Sequence, residues 1–457
     1  MEIAKKFLDE GQPQLALERL KKILYSGKFT EEWQIHELIG VCFQDLANAE
    51  GVVQASLSAA QTDTILRNQQ RHFSNYLFAL HYLNVDGNIL SNDAKVYNSL
   101  YRDTEKFPEK NNFNKKIHVA YIAPHFLDSS SARFYETLLI HYDKEKFFVS
   151  AWSLSNREDN FTKKVRNSVD KFFSFDEINF YKIAEKIYFE NADVVFDLGG
   201  HSDGGETLQI LSYKPAKIQI SGIGYFDTTG TDFIDYFLSD EFLIKNCKKD
   251  FTEQIFLVEN ALEFLPSEKI IQAEKSLKKI GHENFIFGCL NNFMKITDEY
   301  LQCVKKILKL VPNSKIIFRD TTPIKSRKKS LEEKILSAGI KNFEVRVGED
   351  NFFRDYEEID LILDTFPYNG GFMTALAIYF EVPVLNLIGD KNYSRMGADI
   401  LKNFGLEEWI ASDEENFITK AVDFAKNPAQ KIFSPRSIKN NFADDFYKKI
   451  LDIMQKK

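Results

Sequence analysis

Three groups of residues in this chain have types and spacings that could do chemistry. Asn369, Gly370 and Gly371 follow Pro367 at the end of the apolar run IDLILD (359–364) and precede a second apolar stretch beginning at Phe372. Such a run reads as a strand buried on both faces; Pro367 stops it, and the two glycines let the backbone turn tightly and approach a ligand closely. A helix starting just afterwards offers free amides and the positive end of its dipole, worth roughly 0.3 to 2 kcal/mol for an anion. Phosphate fits there, although Asn-Gly-Gly is also ordinary turn chemistry. Lys295, in LNNFMKI, follows the strand-like FIFGCL and precedes a helix opened by Thr297, Asp298 and Glu299. A lysine at a strand end is a point cation suited to a leaving diphosphate, or else a solvated surface lysine. Asn291 and Asn292 beside it offer hydrogen bonds to a nucleotide or sugar. His201 in DLGGHSDGG and His125 in APHF both lie in loops after strands, where an ordinary pKa near about 6.5 suits a general base; a lone histidine is more often structural. Arg133 opens the helix after His125 and is expected to face the same cleft.

A chain of 457 residues is long enough for two or three domains. With 44% hydrophobic and 28% charged residues it reads as soluble and globular. The 59 Lys plus Arg against 67 Asp plus Glu, net charge -8, provide no basic field for nucleic acid and favour small-molecule or protein partners. Cys42, Cys247, Cys289 and Cys303 are scattered with no C-x-x-C pair, which fits buried thiols in a reducing compartment and predicts cytoplasmic residence. The N-terminus lacks an apolar signal core and no run is long enough to span a bilayer, so neither secretion nor membrane insertion is expected. Neither a D-x-D pair nor an H-x-x-x-H pattern is present, so this reading assigns no metal and leaves phosphate charge to cationic side chains and helix amides.

The first hundred residues read as helical. AKKFLDEGQPQLALERLKKILYSG has helical apolar spacing around a Gly-Gln-Pro break and ends at Gly27. WQIHELIGVCFQDLANAEGVVQASLSAA predicts a second pair with small residues where its helices touch, in an order resembling a degenerate tetratricopeptide repeat. Residues 1–112 are therefore expected to form a small all-α, protein-contacting domain, with 107–116 as a linker. Strands then alternate with helices: IHVAYIA, FVSAWSL, DVVFDLG, KIQISGI and QIFLVE first, and FIFGCL, KIIFR, FEVRV, DLILD and PVLNL second. The pattern predicts a parallel α/β protein of two Rossmann-like halves, 113–270 and 271–457, with a functional cleft between them. The run KSRKKSLEEK (325–334) reads as a solvated helix face, and His36, His72, His81, His118, His141 and His282 as structural.

HVAYIAPHF, the segment from DLGGHSDGG to FIDYFLSD, FGCLNNFMKITDEYLQCVKKILKLVPNSKIIFR, and LDTFPYNGGFMTALAIYFEVPVLNLIGDKNYSRMGADILKNFGL occur in an order and spacing that resemble the catalytic region of glycosyltransferase family 41, the O-linked N-acetylglucosamine transferase and SPINDLY family. The resemblance covers roughly residues 115–450. It implies a GT-B fold of two facing Rossmann-like domains, a nucleotide-sugar donor, and inverting transfer to a protein side chain. It also implies that Lys295 neutralises the leaving diphosphate, and that Ser394 and Arg395 join Gly370, Gly371 and Thr374 around the nucleotide. UDP-N-acetylglucosamine is the donor favoured; UDP-glucose and GDP-fucose are used by relatives.

The chain departs from that family's pattern at three places. Ser129 and Ser130 stand where relatives have His-Pro. Phe372, Met373, Thr374 and Leu376 stand where relatives have three threonines and then an acidic residue for the ribose. Gly224, Tyr225 and Phe226 replace Gly-Tyr-Pro; Tyr225 is expected to contact sugar or acceptor, and the following Asp227 reads either as such a contact or as a turn cap. The leading expectation is a metal-independent protein O-glycosyltransferase, its acceptor held by the helical front. Transfer to a glycan or lipid carrier, sugar-nucleotide epimerisation, and a non-catalytic scaffold are the alternatives.

Overall fold

The computed structural model describes residues 1–110, 115–281, 283–348, 350–428 and 441–456. Two all-parallel sheets carry it. The first has seven strands, β1 (Ile117–Ala123), β2 (Phe147–Ser153), β3 (Lys171–Ser174), β4 (Val194–Asp197), β5 (Ile218–Ser221), β6 (Tyr236–Ser239) and β7 (Gln254–Leu257), in the order β3-β2-β1-β4-β5-β6-β7. The second has six, β8 (Ile286–Leu290), β9 (Lys315–Asp320), β10 (Phe343–Val347), β11 (Leu361–Leu363), β12 (Val384–Leu387) and β13 (Ile410–Ala411), in the order β10-β9-β8-β11-β12-β13. Their central strands are apolar and buried on both faces because helices cover each side, as a parallel sheet requires.

Both strand orders reverse at one place. In the second sheet the chain runs outward from β8 to β10, then returns to place β11 on the other side of β8. In the first sheet β1 and β4 stand in the same relation. Crevices beyond the carboxyl ends of strands at such reversals are where open α/β sheets bind ligands. The loops after β8 and β11 contain Lys295 and the Gly370–Gly371 turn; those after β1 and β4 contain His125 and His201.

Three helix pairs precede the sheets: α1 (Glu2–Asp9) with α2 (Pro13–Tyr25), α3 (Glu32–Asp45) with α4 (Ala49–Thr62), and α5 (Leu66–Leu80) with α6 (Gly87–Ser99). Gly11 and Gly27 take the left-handed conformation that ends α1 and α2. Gly40 lets α3 lie close to α4, since a Cβ there would already touch that of Ala55 at 3.6 Å.

The compact units divide the chain differently from the three consecutive domains expected. One comprises Met1–Thr64, Ala79–Val85 and the chain from Glu268 through the second sheet; the other comprises Ile65–Phe78, Asp86–Ser267 and the helix Phe442–Lys456. Most of α5 and all of α6 thus belong with the first sheet. So does the C-terminal helix, because Tyr447 donates to Leu138 O at 2.6 Å and hydrogen-bonds Tyr121 Oη at 2.9 Å. The expected linker is docked at its start, where Phe107 stacks on Tyr188 at 4.7 Å and donates its N–H to Tyr213 O; residues 111–114, with the 112/113 boundary, lie outside the described residues.

Candidate active site

The loop after β8 ends in the 3-10 turn Phe293–Lys295, capped by Asn292, whose Oδ1 accepts from Met294 N at 3.0 Å. Thr297 then caps the helix Asp298–Leu310 by accepting from Tyr300 N. Between these two caps the Lys295 ammonium donates to Asn369 O at 2.8 Å and stands 3.9 Å from the centre of the Tyr368 ring. Burial pushes its pKa down to about 8, against the opposing pull of the Asp364 carboxylate. A half-buried cation gains from an anion that comes to it.

Beneath the lysine lies Asp364, a residue the sequence reading passed over. Its carboxylate is buried at the end of β11 and accepts from Thr365 N (2.8 Å), Gly370 N (2.8 Å), Asn291 Nδ2 (3.1 Å), Thr374 Oγ1 (3.0 Å) and Asn386 Nδ2 (2.9 Å). Burial raises its pKa, and these donors and Lys295 oppose that rise. Asp364 thus ties Asn291 and Thr374 to the turn before the helix Phe372–Tyr379. Gly370 is required by close approach rather than by an unusual backbone: a Cβ there would sit 2.8 Å from Asp364 Oδ1 and 2.7 Å from Thr374 Oγ1. A Cβ on Gly371 would meet open space. Leu376 is fully buried in this helix.

The other residues expected around a nucleotide are also fixed. Asn369 is buried and donates to Thr365 O and Leu387 O. Ser394 is buried and its hydroxyl bonds Lys391 O and accepts from Lys391 N, both at 2.9 Å. Arg395 Nη1 donates to Gly389 O at 2.9 Å, closing the loop before the helix Met396–Asn403. Asn291, Lys295, Asn369, Gly370 and Thr374 are therefore joined in one network, and Asn292 reaches it through the lysine turn.

Residues of the first sheet are positioned otherwise. His201 is buried with both ring nitrogens engaged, Nδ1 with Ser74 Oγ at 2.8 Å and Nε2 with Thr229 O at 3.0 Å, and its ring packs on Tyr97 and Tyr225. Neither nitrogen is left to take a proton from an acceptor, so the geometry gives His201 the work of fixing the β4 loop. His125 is half-buried; Leu127 N donates to its Nδ1 at 3.4 Å, which puts the proton of the neutral ring on Nε2. Arg133 is buried, pairs with Glu136 at 2.8 Å and packs over Phe161. Tyr225 is buried against His201, and Asp227, also buried, accepts from Thr228 N at 2.8 Å. The β4 loop repeats the device seen after β11, since the buried Asp197 accepts from Gly199 N, Gly200 N and Ser221 Oγ.

Helix Lys325–Ser337 is not wholly a solvated face. Arg327 is buried, bonding Asp320 Oδ2 at 2.6 Å, Asn292 Oδ1 at 3.2 Å and Gln44 O at 3.0 Å. His36, His72, His118 and His141 lie outside both loop clusters, His81 packs on Tyr368 and Tyr393, and His282 lies outside the described residues. Among the described residues no cluster of three or more His, Cys, Asp or Glu could hold a metal, and no helix is long and apolar enough to cross a membrane.

The pattern of glycosyl transferase family 41 matches residues 93–264 and 252–437, which take in both sheets and all the loops just described. The chain belongs to glycosyl transferase family 41. As a member of this family it is 27% identical over 377 residues to a Hordeum vulgare SPINDLY protein, named "probable UDP-N-acetylglucosamine–peptide N-acetylglucosaminyltransferase", covering 77% of this chain and 39% of that protein. A SPINDLY protein of Arabidopsis thaliana with the same name is 27% identical over 340 residues, 71% of this chain and 36% of its own length. This family 41 chain thus spans roughly two fifths of these curated relatives. A solved structure of a Thermobaculum terrenum O-GlcNAc transferase mutant superposes with a TM-score of 0.81 at 19% identity, covering 97% of this chain and 84% of that one. That likeness shows the fold, two parallel α/β domains of GT-B type behind a helical front.

Proposed function

We propose that the chain is an inverting, metal-independent glycosyltransferase that moves N-acetylglucosamine from UDP-N-acetylglucosamine to a Ser or Thr hydroxyl of a protein. The observation that carries this reading is Lys295, a half-buried ammonium beside the Gly370–Thr374 turn at the point where the second sheet's strand order reverses. The acceptor oxygen attacks the anomeric carbon opposite the nucleotide and forms the new C–O bond as the bond to diphosphate breaks. The electron pair leaves with UDP, where Lys295 and the helix amides meet the developing charge, and the hydroxyl proton passes to water. His125 Nε2–H is a donor available to a sugar or acceptor oxygen. The names of the SPINDLY relatives support the donor and the peptide acceptor. The helical front, with Leu15, Tyr25 and Val41 exposed, is the surface we assign to the acceptor protein. Four free, buried cysteines accord with a cytoplasmic setting.

The test is mass spectrometry of Ser/Thr peptides incubated with UDP-N-acetylglucosamine, UDP-glucose or GDP-fucose in the presence and absence of chelator. The expected product carries one added N-acetylhexosamine with inverted anomeric configuration, forms equally well with chelator, and is lost with Lys295→Met. Undiminished transfer by Lys295→Met, or conversion of the free sugar nucleotide without any peptide product, would overturn the proposal.

A further inference from the structure

The helical front supports the active-site lysine through aromatic rings. Lys295 presents its ammonium to the face of Tyr368, 3.9 Å from the ring centre, while the next residue in the chain, Asn369, accepts its hydrogen bond. A lysine stem is flexible, and two contacts on its head choose one arrangement among many. The ring is itself braced. Tyr82 lies 5.6 Å from it at 36°, Tyr393 5.8 Å away edge-on and His81 6.3 Å away; His81 in turn meets Tyr393 edge-on at 4.6 Å. His81 and Tyr82 belong to the short stretch Ala79–Val85, which packs with the second sheet rather than with the rest of α5.

The same front holds the lysine's own turn. Met294 shares an apolar cluster with Val52 and Ala79, so the residue before Lys295 is buried by α4 and the end of α5. Arg327 spans the carbonyl of Gln44 at the end of α3 and the side chain of Asn292 at the start of the turn; Ser326 donates to Asp45 O at 2.7 Å. Asp320, paired with Arg327, accepts from Phe293 N at 3.0 Å.

We propose that Tyr368 is a positioning residue that aims the Lys295 ammonium through its ring face, and that His81 and Tyr82 of the helical front hold that ring in place. The proposal rests on the assignment of Lys295 to the diphosphate. The ring acts through its π face, so a phenylalanine should serve and an aliphatic side chain should not.

A double-mutant cycle on the full-length chain, with UDP as the probe in calorimetry, tests this. Tyr368→Phe should bind UDP within about twofold of the parent, and Tyr368→Leu about tenfold more weakly, the scale of a desolvated cation–π contact. In a Lys295→Met background, Tyr368→Leu should change UDP affinity less than about twofold, because its effect runs through the missing ammonium. Tyr82→Leu should weaken UDP in the same direction and likewise lose its effect in that background. Melting temperatures verify that each variant is folded, and the conservative Tyr368→Phe keeps the test informative if leucine is not tolerated. Equal weakening by Tyr368→Leu in both backgrounds, or Tyr368→Phe as damaging as leucine, would overturn the positioning role while leaving the transferase reading intact. UDP affinity unchanged by Lys295→Met alone would remove both.

Discussion

Raising the pH from 7 to 9 should disarm the proposed transferase through one group. The free chain holds Lys295 at a pKa of about 8 because burial penalises the ammonium more than Asp364 supports it. At that value about nine tenths of the molecules carry the charge at pH 7 and about one tenth at pH 9, so kcat/KM for the nucleotide sugar should fall about tenfold. A lysine at its ordinary pKa of about 10.4 would lose less than about 5% over the same interval. The sign follows from the role: the charged form is the one that meets diphosphate, so activity is present below the pKa and lost above it. Bound diphosphate favours the charged form, so the fall in kcat itself should lie at higher pH than the fall in kcat/KM. Lys295→Arg supplies the control, since a guanidinium stays protonated throughout; its rate should be lower but flat from pH 7 to 9. Initial rates with UDP-N-acetylglucosamine and a peptide acceptor would read both curves, with melting temperatures recorded at each pH. A parent profile flat to pH 9, or an equal fall in Lys295→Arg, would refute the reasoning.

Other perturbations reach the same architecture. The binding of UDP should take up about half a proton at pH 8 and about nine tenths of one at pH 9, because the bound anion recharges Lys295, and calorimetry in buffers of different ionisation enthalpy would show uptake that vanishes in Lys295→Met. Gly370→Ala should destabilise the fold by about 1–3 kcal/mol in denaturant titration, since the new methyl meets Asp364 and Thr374, whereas Gly371→Ala should stay within about 0.5 kcal/mol. Arg327→Met should cost about 3–5 kcal/mol, because it leaves the buried Asp320 carboxylate without its cation.

Much of the architecture was legible because its signal is local. The runs IHVAYIA and FEVRV are strands from end to end, the first as the near-continuous apolar sequence that a sheet covered on both faces demands, the second as an alternating pattern at a sheet edge whose Glu344 and Arg346 pair with each other. Three strands escaped notice for related reasons. Lys171–Ser174 is exposed or half-buried along its length at a sheet edge, Tyr236–Ser239 is only four residues long, and Ile410–Ala411 is two. The expected strand 193–199 stops at Asp197 because that side chain turns back to accept the next loop's amides, and the strand before the Gly370 turn stops at Leu363, before Asp364, for the same reason.

Less of the candidate site could be read, because its partners meet only in the folded chain. Lys295, Asn369 and Gly370 announce themselves through strand-end position and turn chemistry, but nothing local says that Asp364 gathers them. A signal did exist: an apolar run ending in Asp and followed by Gly-Gly occurs twice, in FDLGG and LDTFPYNGG, once in each sheet. His201 looked catalytic because its loop is glycine-rich. The glycines serve backbone conformation instead, Gly200, Gly204 and Gly205 all taking positive φ, while Ser74, from a helix far earlier in sequence, occupies the ring. Arg327 was hidden in a charge run whose other cations do face water.

The most direct test of the central claim is a crystal structure of the chain with UDP bound. The diphosphate should lie beyond the carboxyl ends of β8 and β11, with a β-phosphate oxygen about 2.7–2.9 Å from Lys295 Nζ and the start of helix Phe372–Tyr379 facing it. UDP lodged elsewhere on the protein, or seated there with Lys295 Nζ out of hydrogen-bond reach of the diphosphate, would contradict that role for Lys295.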